Sequence, residues 1–137
     1  MQTFLPLPDF KLSASCLDRQ RLGKQRVEVL QLLKALSGET KGWANHPAAK
    51  MWSNYKEALI SYGVAICDEW IARGYKDTCL NKIKTYSLRE PLVMPHWFGL
   101  SAFHQAHRSN LLRKDPEHYG QFGWPEPDDL EYVWPDP

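Results

Sequence analysis

Apolar residues recur every three or four positions in three parts of the chain, with the period of an amphipathic helix. The first part runs from Leu17 to Leu36, and its repeating residues are Leu22, Val29, Leu33 and Leu36. Ser13 or Ser15 can cap its start, and Ser37-Gly38 is a typical end. The pattern predicts one helix over residues 17–36.

Two further segments show the same period. One starts after Asn45-His46-Pro47 and reaches Arg73, and Pro47 is typical of a helix start. Its length of about 40 Å predicts a bend, which we place near Gly63. Its apolar stripe, predicted to be core, is Trp52, Tyr55, Leu59, Tyr62, Ile66 and Trp70. The other segment runs from Leu100 to Arg113; Phe103, Ala106, Leu111 and Leu112 are predicted to face inward, and His104, His107, Arg108 and Arg113 outward.

The remaining chain has weaker periodicity. Pro6 and Pro8 predict that residues 1–12 form an extended arm over the core. Residues 75–95 give no firm assignment, and the prolines and glycines after Lys114 predict an irregular tail. We therefore expect an all-α fold: a compact single-domain bundle of about three main helices over residues 1–137, with an extended N-terminal arm and an irregular aromatic and proline-rich C-terminal tail.

The charges are segregated, although the net charge is only +1. The stretch from Lys11 to Lys50 is basic, whereas residues 126–136 carry only acidic charges, so one face can attract phosphates. Three cysteines without a CxxC spacing argue against a disulfide framework and a zinc site, and favour a reducing cytoplasm. The sequence shows neither a charged leader nor a long apolar run, so neither secretion nor membrane insertion is predicted.

The first predicted helix carries the strongest candidate for chemistry. Helical geometry places Arg21, Lys24, Glu28 and Gln31 on one flank, with Arg19 and Arg26 to the other side. A lone carboxylate among cations can act as a base or stabilise a cationic intermediate. The alternative is an ordinary surface ion pair between Lys24 and Glu28, which are four residues apart.

The third predicted helix and the tail suggest a second function. His104 and His107 are three apart, and His118 follows, but no carboxylate or thiol stands at ligand spacing, so no metal site is predicted. Arg108, Arg113 and Lys114 precede Tyr119, Phe122 and Trp124, which combines phosphate-attracting charge with rings that can stack on bases. The alternative is a basic surface helix followed by a packed tail. GxGxxG, P-loop and GxSxG motifs are absent, and no cofactor is predicted.

Four short motifs stand out along the chain. They are LD…L…E at Leu17, Asp18, Leu22 and Glu28, GWANHP at residues 42–47, ARGY at residues 72–75 and HRSNLLRKDPEHYGQFGW at residues 107–124. Together, the last more loosely, they resemble the pyrimidine-dimer DNA glycosylases of the endonuclease V type. Within that class the chain resembles a less characterised bacterial and phage subgroup with LDRQRLGKQRVE, NHPA and HRSNLLRKDPEHY.

The resemblance implies an all-helical domain that grips and kinks duplex DNA and displaces a base. It also implies that an N-terminal α-amine attacks the sugar C1′ to form an imine, assisted by a glutamate whose place Glu28 occupies. Because Gln2 is too large for efficient removal of the initiator methionine, the amine would belong to Met1. Lys24 is a substitute amine, and water activated by Glu28 would give a glycosylase without lyase activity.

Together these inferences predict a DNA glycosylase, with or without AP-lyase activity, that excises a damaged or modified pyrimidine from double-stranded DNA. The catalytic candidates are Glu28, Met1 and Lys24. The DNA-binding candidates are Arg19, Arg21, Arg26, Asn45, His46, His104, His107, Arg108, Arg113, Lys114, His118 and Tyr119. No metal, cofactor, membrane or obligatory protein partner is predicted. The alternatives are a non-catalytic DNA-binding or DNA-modification accessory protein on the same scaffold, and an enzyme that transfers a group onto a modified base.

Overall fold

The computed structural model describes all 137 residues and contains helices but no strands, with 54% of the chain helical. The predicted all-α class is therefore confirmed. The helices are α1 (Phe10–Cys16), α2 (Arg19–Leu36), α3 (Pro47–Trp52), α4 (Lys56–Ala72), α5 (Leu80–Lys84), α6 (Ser101–Lys114) and α7 (Pro116–Tyr119), followed by a 3-10 turn at Gly120–Phe122. No helix is both long enough and apolar enough to cross a membrane.

Helix α2 is the predicted first helix, but a different residue caps it. Asp18 accepts a hydrogen bond from the Arg21 backbone N–H, and the expected caps Ser13 and Ser15 lie inside the separate short helix α1. Asp9 caps α1 in the same way, so extended chain gives way to helix earlier than predicted. The predicted end is correct, because Ser37 is the C-cap and Gly38 takes a positive φ of 79°.

The predicted second helix is two helices, α3 and α4, so the expected bend at Gly63 is wrong. The chain breaks at residues 53–55 instead, where the Tyr55 N–H donates to the Trp52 carbonyl. In one straight helix the ten residues from Trp52 to Tyr62 would rise about 15 Å. Their ring centroids are 6.0 Å apart, so the break folds α3 back and buries both rings together.

Gly63 instead allows close packing of α4 on α2. A Cβ atom there would lie 2.7 Å from Val29 Cγ1 and 3.2 Å from Ile83 Cγ2, so a larger residue would clash. The predicted stripe forms much of the core around this contact: Trp52, Leu59, Tyr62 and Ile66 are completely buried, and Tyr55 and Trp70 pack at its edge.

The two ends of the chain close over these helices. Residues 2–6 are extended and buried, which confirms the predicted arm over the core. Helix α6 confirms the third predicted helix almost residue for residue. After α6 the tail makes one turn of α-helix and one 3-10 turn before it becomes irregular, so it is more ordered at its start than predicted.

Candidate active site

A cavity of about 310 Å³ opens where the arm crosses α2 near the end of α6. It is mainly polar. Its wall consists of Met1, Gln2, Phe4, Gln20, Arg21, Lys24, Gln25, Glu28 and Lys114. The arm therefore brings the start of the chain into the same cavity as the lone carboxylate of α2.

Glu28 is the only acidic residue in this wall, and its side chain is 10% exposed. Its Oε2 accepts hydrogen bonds from the Gln2 backbone N–H (3.3 Å) and from Gln25 Nε2 (3.2 Å). Its Oε1 lies 3.6 Å from Nζ of Lys24, a side chain that is 75% exposed. One carboxylate oxygen is thus held by two hydrogen bonds, whereas the other has only an exposed surface partner.

Gln25 joins the arm to α2. Its Nε2 also donates to the Gln2 carbonyl (2.7 Å), and its Oε1 accepts from the Phe4 backbone N–H (3.0 Å). The Tyr62 hydroxyl contacts both the Phe4 carbonyl and Gln25 Oε1 at 2.7 Å. Burial, followed by the charge of Glu28, raises the pKa of Tyr62 well above its usual value, so this hydroxyl stays a donor. The arm next to Glu28 is therefore held in one fixed position.

Two histidines of α6 hold the next residue of the arm. His104 Nε2 accepts from the Gly99 N–H (2.9 Å), so Nδ1 carries the proton and donates to the Leu5 carbonyl (2.8 Å). His107 Nδ1 accepts from the Leu5 N–H (2.9 Å), and its Nε2 has no partner. Burial lowers the pKa of both imidazoles, that of His107 to about 3. Both rings are therefore neutral in the folded protein.

The predicted outward position of these histidines is wrong. His104 is 2% exposed and His107 is not exposed at all, so neither has a surface to offer to DNA. The helical period could not reveal this, because the partner that buries them is the arm, about 100 residues earlier in the chain.

The charge of the amino terminus affects the pKa of His46, the residue that caps α3. His46 caps α3, with Nδ1 accepting from the Ala48 N–H (3.0 Å). Partial burial lowers the pKa of His46 first, the positive amino group of Met1 lowers it further, and the Glu28 carboxylate opposes both. His46 therefore lies within electrostatic reach of the two groups that could carry chemistry.

Three cations stand around the mouth of the cavity. They are Arg21, whose Nη1 is 3.2 Å from Asp18 Oδ1, the exposed Lys24, and Lys114 at the end of α6. Partial burial, and then the charges of Arg21, Arg113 and Lys24, lower the pKa of Lys114. Because these positive side chains repel one another, the surface around the cavity favours the binding of an anion.

A family model described as pyrimidine dimer DNA glycosylase matches residues 1–83, more than half of the chain. The chain belongs to the pyrimidine dimer DNA glycosylase family. The resemblance inferred from the motifs is thus confirmed. No curated protein and no solved structure matches the chain.

The region that matches the pyrimidine dimer DNA glycosylase family contains the arm, helices α1 to α4 and all of α5 except Lys84. It supplies every residue of the cavity wall except Lys114. The later helix α6 and the tail lie outside the match, and α6 contributes the histidines and the arginine that hold the arm.

Four of the other residues predicted to bind DNA have structural partners instead. Arg26 pairs with Asp77 (2.7 Å) and stacks on Trp70, on the side of α2 away from the cavity. Tyr119 is completely buried, and its hydroxyl donates to the helix cap Asp18 (2.5 Å). Arg108 binds Glu126 and the Pro6 carbonyl, and the His118 ring bonds to the Cys16 carbonyl. Each of the four is engaged by another part of the fold, and a contact of any of them with DNA stays a prediction.

The remaining candidates lie at the surface. Arg19 and Asn45 are exposed and have no side-chain hydrogen bond or ion pair. Arg113 is exposed but contacts Asn110 and the Asp128 carbonyl. None of the three lines the cavity. The chain has no group of three or more His, Cys, Asp or Glu side chains that could hold a metal ion.

The glutamines of the site were not predicted from the sequence. Gln2, Gln20 and Gln25 all line the cavity, and Gln25 is central to the arm contacts. A signal for Gln25 was present, because it stands between Leu22 and Val29 at a buried position of the α2 stripe. A polar residue at such a position needs a buried partner. The partner, an extended arm, could not be identified from periodicity.

Proposed function

We propose that this protein is a DNA glycosylase that excises a damaged or modified pyrimidine from duplex DNA, with the Met1 amine as nucleophile and Glu28 as its proton acceptor. The observation that carries this proposal is that Met1 and Glu28 line one cavity. Membership of the pyrimidine dimer DNA glycosylase family supports the substrate class.

In the first step the lone pair of the Met1 nitrogen forms a bond to the sugar C1′. The C1′–N1 bond to the base breaks, and its electron pair leaves with the base, which takes up a proton. The amine gives up a proton to Glu28 Oε1, the oxygen that faces the cavity cation Lys24. A positioned carboxylate of this kind accelerates proton transfer by about 100- to 10,000-fold.

In the second step the C1′–O4′ bond opens, and its electron pair stays on O4′, which takes up the proton that Glu28 accepted from the amine. A C1′=N imine then joins the protein to the strand, and Glu28 is again a carboxylate. Removal of a C2′ proton by Glu28 then expels the 3′-phosphate and nicks the DNA. The fixed Oε2, held by Gln2 N–H and Gln25, keeps the carboxylate oriented through both proton transfers.

The cations around the cavity are suited to hold the DNA backbone. Arg21, Lys24 and Lys114 surround the mouth, and the exposed Arg19 and Asn45 can extend the contact along the strand. Their role in holding phosphates predicts binding that weakens as salt is raised.

Met1 is favoured over Lys24 as the nucleophile because the fold fixes its position. The neighbouring Gln2 N–H bonds to Glu28, and Gln25 and Tyr62 hold the adjoining backbone, whereas the Lys24 side chain is 75% exposed. Fixed geometry of the reacting groups lowers the entropic part of the barrier.

The proposal is tested with duplexes that carry a cyclobutane pyrimidine dimer, uracil or a hydroxymethylpyrimidine, each incubated with and without borohydride. We expect base release from at least one duplex and a borohydride-trapped protein–DNA adduct. Glu28→Gln should slow base release by at least about 100-fold. Glu117→Gln is the matched control, because Glu117 is exposed and unpaired, and it should leave activity unchanged.

A Gly-Ser extension ahead of Met1 separates the possible nucleophiles. It displaces the amine by about 7 Å, so adduct formation should be lost while DNA binding remains. Trapping that survives the extension but is lost in Lys24→Gln would instead assign Lys24. Abasic product without any adduct would assign water, and salt-sensitive binding without release of any of these bases would leave a DNA-binding protein.

A further inference from the structure

Both polar groups of the Leu5 backbone are bonded to imidazoles of α6. The N–H donates to His107 Nδ1 (2.9 Å), and the carbonyl accepts from His104 Nδ1 (2.8 Å). All three residues are buried, with exposed fractions of 2% or less. A segment without helix or sheet needs such a partner for each buried N–H and carbonyl. The two histidines therefore hold the arm at a fixed distance from α6.

The other side of the arm is bonded to α2 and α4. The Gln2 carbonyl and the Phe4 N–H bond to the Gln25 side chain, and the Phe4 carbonyl contacts the Tyr62 hydroxyl. In extended chain the N–H and carbonyl of one residue point away from those of the next. Phe4 therefore bonds on the α2 side and Leu5 on the α6 side, so the arm is held between two anchors.

The face of α6 that carries the histidines continues to the cavity. Lys114 follows His107 by about two helical turns, so the two residues lie on the same face, about 10 Å apart along the axis. The arm covers a similar length, about 10 Å, from Leu5 back to Gln2. Met1 and Gln2 line the same cavity as Lys114. The arm thus runs alongside α6, and its first residues lie at the end of that helix.

We propose that His104 and His107 are positioning residues for the reaction, because they hold the arm where its terminal amine lies in the cavity. The inference rests on the proposed function, and it adds two residues from outside the part of the chain that matches the family. Neither histidine lines the cavity, so neither contacts a substrate there. Both act through the Leu5 backbone on the position of Met1. Without them the arm keeps its bonds on one side only.

His107→Leu tests the bond on the α6 side, because leucine fills the space but cannot accept from the Leu5 N–H. The measurements are the single-turnover rate of the borohydride-trapped adduct and the dissociation constant, with a duplex that the wild type cleaves. The rate should fall by about 100-fold, as expected for reacting groups misplaced by about 1 Å. The dissociation constant should stay close to that of the wild type, because Arg21, Lys24 and Lys114 are not part of the arm.

His107→Asn separates the hydrogen bond from the packing of the ring. The asparagine Oδ1 takes the place of Nδ1 and can accept from the Leu5 N–H. The adduct rate should therefore return most of the way to that of the wild type. If the ring mattered only for packing, the order would be the opposite, since leucine fills the space better than asparagine.

His104→Leu and His104→Asn form a second pair with the same expected order. The asparagine Nδ2 can donate to the Leu5 carbonyl, whereas leucine cannot. This pair decides the question if His107→Leu does not fold.

Ser109→Ala is the matched control. Ser109 is completely buried on the same helix, and its Oγ accepts from the Leu130 N–H of the tail (3.0 Å). Like His107→Leu, this variant removes the acceptor of a backbone N–H, but the segment that loses its partner is the tail. Urea unfolding compares the stability of the two variants. The adduct rate of Ser109→Ala should equal that of the wild type.

The proposal is overturned if the leucine variants form the adduct as fast as Ser109→Ala, or if the asparagine variants are as slow as the leucine variants. Either result leaves the proposed function standing. Base release by the wild type without any adduct also overturns it, since no amine then needs a fixed position. If the wild type neither binds DNA nor releases a base, the proposed function itself fails.

Discussion

Individual polar residues in buried positions hold the irregular segments of this protein. Gln25, His104 and His107 take up the hydrogen-bonding groups of the arm. Ser109 and Asn110 do the same for the tail, through the N–H and carbonyl of Leu130. A backbone without secondary structure can be buried only if such partners exist. These side chains therefore hold the irregular chain in place, and Gln25 also donates to the Glu28 carboxylate of the site.

His107 makes folding stability sensitive to acid. Its pKa is about 3 in the folded protein, chiefly because of burial, and about 6.5 when the chain is unfolded. Below about pH 6.5 the unfolded state binds a proton that the folded state does not, so stability falls as pH decreases. Between pH 7 and pH 5 the free energy of unfolding of the wild type should fall by about 2 kcal/mol more than that of His107→Leu, measured by urea unfolding.

At pH 7 the wild type should be the more stable of the two proteins. His107→Leu leaves the buried Leu5 N–H without an acceptor, and this variant should be about 1–3 kcal/mol less stable than the wild type. His96→Gln serves as the control at an exposed histidine and should leave the pH dependence as it is. An unchanged difference between His107→Leu and wild type at the two pH values would contradict the assignment.

At the scale of the elements, the contact between α2 and α4 fixes where the carboxylate-bearing helix lies. Because Gly63 has no side chain, the two helices can pack closely at this position. The hydroxyl of the neighbouring Tyr62 contacts the Phe4 carbonyl of the arm and the Gln25 side chain of α2. The same helix thus supports both the position of Glu28 and the position of the arm above it.

Gly63→Ala should destabilise the protein by about 1–3 kcal/mol, because the added methyl group would lie 2.7 Å from Val29 Cγ1. The measurement is the thermal unfolding midpoint. Gly120→Ala is the control: a Cβ there meets nothing within 4 Å and φ is −63°, so its midpoint should be close to that of the wild type. Equal midpoints for Gly63→Ala and Gly120→Ala would show that the two helices can separate without cost.

The predicted elements were correct where a segment's own pattern decided them. The end of α2 at Ser37-Gly38 and the extent of α6 followed from apolar spacing and capping residues. The break between α3 and α4 did not, since the stripe continues through residues 53–55. What breaks the helix is the burial of Trp52 against Tyr62, a contact between segments.

At the scale of the whole molecule, one side chain joins the two ends of the chain. Arg108 Nη1 donates to the Pro6 carbonyl of the arm (2.8 Å), while Nε and Nη2 bind the Glu126 carboxylate of the tail (2.7 and 2.9 Å). This ion pair lowers the pKa of Glu126, so the tail is held by a charged carboxylate at neutral pH. The packing of the arm and the packing of the tail against α6 therefore depend on the same side chain.

Arg108→Leu should destabilise the protein by about 2–4 kcal/mol and loosen both ends, because it removes partners from two poorly exposed groups. Hydrogen exchange of the Phe4 and Leu5 amides should become faster. Glu126→Gln removes the negative charge that Arg108 binds in the tail but keeps the hydrogen bond from Arg108 to the Pro6 carbonyl. The Phe4 and Leu5 amides of this variant should therefore exchange nearly as in the wild type. Fast exchange in both variants would mean that the tail alone protects the arm.

The sequence by itself determined the all-α class, the approximate extents of α2 and α6, the arm, and the family, because each depends on residues close together in the chain. It also singled out Glu28, since a lone carboxylate among cations is visible on one helix. Only the tertiary structure decided which polar residues face the cavity and which are buried. It brought Met1 into the same cavity as Glu28 and turned His104 and His107 inward onto Leu5. Those outcomes depend on backbone groups of an irregular arm meeting side chains far away in sequence, and helical periodicity contains no information about such meetings.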